Sequence, residues 1–110
     1  MAWNLLLLAG LFEIAWAIGM KLSNGFTHPG YTVFTFVTSL VSFVLLGLAM
    51  KELPASTGYA VWTGIGAIGT AIIGMVFLDE PRTAARIVSI ALIVAGVIGL
   101  KLFGAPVVQA

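Results

Sequence analysis

The chain has 110 residues, 61% of them hydrophobic and only 8% charged, with a net charge of +1; an average soluble domain carries about 25% charged residues, so this composition belongs to a membrane protein. It has no cysteine and one histidine, His28, which excludes disulfides, thiolate or histidine-cluster metal sites and a Ser-His-Asp arrangement, so neither a metal site nor an enzyme is expected. No basic tail or patch is present, and nucleic acid is excluded as a partner.

A helix needs about 20 apolar residues to cross about 30 Å of hydrocarbon, and an unpaired strand cannot cross it at all. The first candidate is residues 2–20, which contains "LLLLAGLFEIAWAIGM". It lacks a positive n-region, is longer than the roughly 7–15 residues of a signal-peptide core, and is expected to be a retained span. The loop "KLSNGFTHPG" follows, where Asn24-Gly25 and Pro29-Gly30 are expected to break the helix. A second span is expected over about 31–50, ending at Lys51-Glu52. Pro54 suits the first turn of a third span over about 55–78, and "DEPRT" marks the next turn, with Asp79, Glu80 and Arg82 expected only to solvate it.

The fourth segment has 14 residues, Ile87–Leu100, between Arg86 and Lys101. It reaches both interfaces if those charges snorkel and Ala84 and Leu102 join the helix, giving a span over about 84–103. The expectation is a single four-helix transmembrane domain over residues 1–110, all-α, with both termini on one side of the lipid bilayer. Counted by side, Lys51 and Lys101 stand against Lys21, Arg82 and Arg86, which is almost no positive-inside bias. Insertion in both orientations is therefore carried as a hypothesis. Two oppositely inserted copies would also supply the inverted repeat that transporters use and this chain lacks internally.

Glu13 is the one acid deep in a span, about 12–18 Å from either end. A charge there costs at least about 2.5–3.5 kcal/mol, and every basic residue of the chain sits near a span end. Glu13 is thus expected to be protonated part of the time and otherwise to meet a cation from outside the protein; the alternative is a permanently protonated acid bonded to a neighbouring helix. Helical spacing puts Leu6, Ala9, Gly10, Trp16, Ala17 and Met20 on its face, small residues there favouring close approach of another helix. In the second span Thr35, Thr38, Ser39 and Ser42 form a stripe, facing either a partner helix or wet cavity, or bonded to their own carbonyls. In the third, Tyr59, Trp62, Thr63 and Gly66 share a face. Tyr59 and Trp62 read either as an interfacial belt or as donors to Glu13 and aromatic faces for a cation. Gly64 and Gly66 permit either a bend or close packing. His28 is expected to be an interfacial residue without a function, and Lys101 to snorkel or pair with a C-terminal carbonyl.

The blocks "GLFEIAWAIGMKLSNGF", "KELPASTGYAVWTGIGAIG" and "GVIGLK", in this order, resemble the small multidrug resistance family over nearly the whole chain. More narrowly they are similar to its guanidinium exporter subtype, with Trp16 as the sharpest marker. The resemblance implies an antiparallel, dual-topology homodimer in a bacterial-type cytoplasmic (inner) membrane. Its transport would be proton-coupled antiport by alternating access, with a small guanidinium-like organic cation and protons as partners and no cofactor. Carried over by position, it makes Glu13 the proton and substrate site, lined by Gly10, Trp16, Ser42, Tyr59 and Trp62, with the third helix bending at Gly64 and Gly66. The motif "SIALIVAGV" would pair the subunits through Ser89, Leu92, Ile93, Gly96 and Val97. Guanidinium is planar, weakly hydrated and able to pair bidentately with a carboxylate, which suits such a site. Quaternary ammonium or aromatic cations, held by the aromatic rings, are the alternative cargo.

Overall fold

The computed structural model describes residues 2–103, and all regular structure among them is helical. Four helices follow one another, α1 (Ala2–Leu22), α2 (Pro29–Ala49), α3 (Ala55–Phe77) and α4 (Ala84–Phe103). Each is 20 to 23 residues long and apolar enough to cross a membrane, which at 1.5 Å per residue gives about 30–35 Å of helix. Large apolar side chains point outward along all four, including Leu11, Phe36, Leu40, Phe77 and Leu92. In water such a surface would be an aggregation liability; in hydrocarbon it is the ordinary outer face of a membrane bundle.

α3 starts at Ala55 as expected, whereas α2 starts two residues before its expected span. Pro29 and Gly30 do not break a helix but open α2, with Pro29 as its first residue. Proline is tolerated there because the first N–H groups of a helix have no intrahelical acceptor anyway. Pro54 lies just outside the first turn of α3, as its N-cap, with ψ of 145°, and its carbonyl accepts from the Gly58 N–H at 2.9 Å. The first turn between helices is tightened by Ser23, whose buried hydroxyl donates to the Met20 carbonyl at 2.7 Å and accepts from the Phe26 N–H at 3.1 Å.

The turn between α3 and α4 does more than solvate. Arg82 donates through Nε and Nη2 to the Met75 carbonyl at 3.0 and 2.8 Å, satisfying one of the last acceptors of α3 where a positive charge also suits the helix dipole. Glu80 turns back over Gly74, where a Cβ would collide with its carboxylate, and pairs with Arg86 at 3.3 Å. The expectation of a merely solvated turn is therefore corrected for these residues.

In the packing, α1 lies between α2 and α3, and α4 leans on α3. The core is concentrated at the end of the bundle beside residues 50–54. Leu6 and Ala9 of α1, Leu46 and Ala49 of α2, and Val61 and Trp62 of α3 bury one another there, with Trp3, Leu53, Val97 and Leu100 packed around them. At this end Lys101 places its ammonium 4.7 Å from the centre of the Trp3 ring, a cation–π contact. Towards the other end α1 and α2 stay in contact at Gly19 and Thr35, and a groove of about 720 Å³ lies there, lined by Ile14, Ile18, His28, Tyr31 and Phe34 with Ile73 of α3. Glu13 lies one residue before Ile14, where the closed half of the bundle meets the open one.

Candidate functional site

Glycines set the distance between α1 and α3. A Cβ at Gly10 would run into Ile65, one at Gly69 into Ile14, and one at Gly66 into the carboxyl of Glu13. The contacts ascend together along both helices, so α1 and α3 run parallel, and each glycine gives one partner side chain the room it needs. Glu13 is in this way laid against bare backbone at Gly66 rather than against a side chain. It is half-buried and has no basic partner; among the described residues the ion pair formed is Glu80–Arg86, in the turn after α3.

A second set of contacts ties α1, α2 and α3 together beside the acid. Ser42 on α2 donates its hydroxyl proton to the Ala9 carbonyl of α1 at 2.7 Å. The same oxygen accepts the indole N–H of Trp62 from α3 at 2.8 Å. Trp62 thus donates to Ser42 and not to Glu13. The reason is register: Ser42 and Trp62 sit level with Ala9, one turn before Glu13, inside the closed core. Of the hydroxyl stripe on α2, Ser42 alone is seen reaching across to a neighbouring helix. Thr35, Thr38 and Ser39 bond the carbonyls of Tyr31, Phe34 and Phe36 on their own helix. Thr35 and Thr38 are nevertheless buried, and Thr35 crowds Gly19 of α1.

Aromatic rings continue outward from this junction. Trp16 lies 6.3 Å from Phe43, Phe43 lies 5.6 Å from Trp62, and Trp62 lies 5.6 Å from Tyr59, all centre to centre and tilted. Trp62 is 5% exposed, with Phe43 at 51% and Tyr59 at 57% on either side of it, so the row passes through the core at Trp62 and reaches the open face at Tyr59. Phe43 had no place in the sequence reading; its only signal is adjacency to Ser42.

Among the described residues, three buried side-chain polar atoms have no hydrogen-bond partner: Glu13 Oε1, Trp16 Nε1 and Thr70 Oγ1. The first two are on the expected site face of α1. Thr70 was missed, although it stands one turn beyond Gly66 and closes the block "STGYAVWTGIGAIGT". Leaving such atoms unpaired costs about 1–3 kcal/mol each, which proteins tolerate chiefly where something else is to be bound.

The remaining expected positions divide. α3 is helical without interruption through Gly64 and Gly66; a Cβ at Gly64 would run into Val97 of α4, so both glycines sit in close packing in this conformation. On α4, Val97 and Ile93 approach Gly64 within the same chain, whereas Ser89, Leu92 and Gly96 face outward and nothing of the described chain lies within 4 Å of a Cβ built at Gly96.

Comparison with known proteins bears on this arrangement. A family profile described as Small Multidrug Resistance protein matches residues 1–93. A guanidinium exporter of Yersinia pseudotuberculosis is 57% identical over 102 residues, covering 93% of this chain and 98% of its own. Guanidinium exporters of Citrobacter freundii and Salmonella typhimurium are 52% and 50% identical over 102 residues, each covering 93% of this chain and 97% of the relative. The chain belongs to the Small Multidrug Resistance family, and with its four apolar helices it is a multi-pass membrane protein of a transporter family.

Proposed function

We propose that the chain exports guanidinium or small guanidinyl cations across a bacterial-type cytoplasmic membrane in exchange for protons, working as an antiparallel homodimer by alternating access, with residues 1–110 as one transport domain. The observation that carries this reading is the Glu13 carboxyl: it lies mid-span against the bare backbone of Gly66, with one oxygen unpartnered and no cation of the chain beside it. An acid so placed in an apolar surround is stable when it holds a proton or an external cation, and it cannot hold both on the same oxygens. Exchange follows from that exclusion, because each cargo must leave before the other is taken up.

The names of the relatives support the choice of cargo, and so does the chemistry of the seat. Guanidinium offers paired N–H donors to a carboxylate, and its flat face suits the rings of Trp16 and Trp62. Gly10 lets α3 approach, Ser42 and Trp62 hold each other rigidly beside the acid, and Tyr59 stands at the exposed end of the aromatic row. Alternating access draws support from the uneven bundle, closed beside residues 50–54 and open at the other end. Two copies in opposite orientation would present these ends to opposite sides of the membrane. The outward face of α4, with Ser89, Leu92 and Gly96 exposed, is the proposed pairing surface, assisted by Ile93 and Val97. Gly64 and Gly66, packed closely in this conformation, are where α3 would bend in the exchange.

The row of four aromatic rings also suits a second reading, export of quaternary ammonium or aromatic cations. Purified protein in liposomes separates the two. An imposed guanidinium gradient is expected to drive protons against their own gradient in wild type and to drive none in Glu13→Gln, whereas the second reading requires tetramethylammonium or larger ions to do so instead. Guanidinium-driven proton movement that persists in Glu13→Gln overturns the role given to the acid.

A further inference from the structure

We infer that Thr70 is a cargo-contacting, specificity-determining residue whose hydroxyl accepts an N–H of the guanidinium group held at Glu13; the inference rests on the export reading above. Thr70 follows Gly66 by four residues and therefore shares its side of α3, one turn, about 6 Å, along from the point where Glu13 lies on the helix. One turn after Glu13 on the same face, α1 carries the short side chain of Ala17.

The state of the hydroxyl is unusual within this protein. A threonine inside a helix ordinarily gives its proton to the carbonyl four residues before it, as Thr32, Thr35 and Thr38 do in α2 at 2.7 to 2.8 Å. Thr70 makes no such bond to Gly66, yet its Oγ1 is buried. A guanidinium ion carries N–H groups on all three nitrogens, more than a single carboxylate accepts, and in a water-poor site the surplus donors need acceptors. Two of the neighbouring side chains are poorly placed to accept. Ser42 Oγ takes the Trp62 N–H and gives its own proton to Ala9, and the indole of Trp16 only donates. Thr70 Oγ1 is a buried side-chain acceptor on this seam that has no partner. A quaternary ammonium ion, which has no N–H, gains nothing from it, so the hydroxyl discriminates between the two cargo classes.

The test uses the full chain in detergent with three variants, Thr70→Val, Thr70→Ser and Glu13→Gln, and reads guanidinium affinity and the melting temperature of the cargo-free protein. Valine keeps the β-branched shape and removes the oxygen. Thr70→Val is expected to weaken guanidinium binding about tenfold and Thr70→Ser to stay within about twofold of wild type. The cargo-free melting temperature of Thr70→Val is expected to hold or rise, because a buried hydroxyl without a partner is replaced by an apolar isostere. Wild-type affinity in Thr70→Val overturns the inference, as does a lowered melting temperature in Thr70→Val together with weakened binding in Thr70→Ser, which marks a structural hydroxyl. If Glu13→Gln loses binding while Thr70→Val keeps it, only the Thr70 assignment falls. If Glu13→Gln binds guanidinium as wild type does, the export reading falls and Thr70 with it.

Discussion

A carboxyl resting on bare backbone is sensitive to a single added carbon. In Gly66→Ala the new methyl would occupy the space of the Glu13 carboxyl, which is the far end of a movable side chain, so the helix pair is expected to fold while the acid is turned aside. Guanidinium binding should then fall at least about tenfold with the helical content of the protein unchanged, as calorimetry and circular dichroism would read. Glu13 itself was legible in the sequence because one charge in an otherwise apolar run has few physical explanations. The partner of Trp62 was not, because a helical face says which side chains look outward together but not which atom of another helix they meet. Thr70 escaped for the same reason: its oddity is a bond it does not make, and no residue pattern records that.

Helices in this chain are punctuated by charges and prolines, so their existence could be read from the length that hydrocarbon demands. Their ends were harder. Pro29 reads equally as a helix breaker and as a helix opener, and only the absence of a required N–H at the first turn decides for the latter. Arg82 reads as a loop charge until the last carbonyls of α3 are seen to need a donor. What binds the elements to one another is local and testable. Ser42 is fully buried and joins three helices, so Ser42→Ala strands the Trp62 N–H in the core and is expected to cost about 1–3 kcal/mol in unfolding free energy measured in detergent. Thr38→Val, at a hydroxyl bonded only to its own helix at 2.7 Å, is expected to cost clearly less in the same measurement.

As a whole the molecule is asymmetric: three helices share a core at one end, and α4 is attached through α3 with none of its residues buried. A membrane helix left so bare suits pairing with a second copy, and the small-residue surface around Gly96 is where backbones would approach most closely. Gly96→Leu adds a side chain where nothing of the described residues lies within 4 Å of a built Cβ, so it is expected to leave the fold intact and weaken self-association at least about tenfold, read by cross-linking in detergent over a dilution series. Reporters fused to the C-terminus are expected to signal from both sides of the membrane, and signal from one side alone contradicts opposite insertion. The exchange itself depends on proton and cargo excluding each other at Glu13. Guanidinium titrated into the protein at stepped pH, in two buffers of different ionisation heat, tests this most directly. The expected result is proton release on binding and an apparent Kd that rises about tenfold for each pH unit of acidification once the acid is mostly protonated. Binding with the same affinity at every pH and no proton released would contradict it.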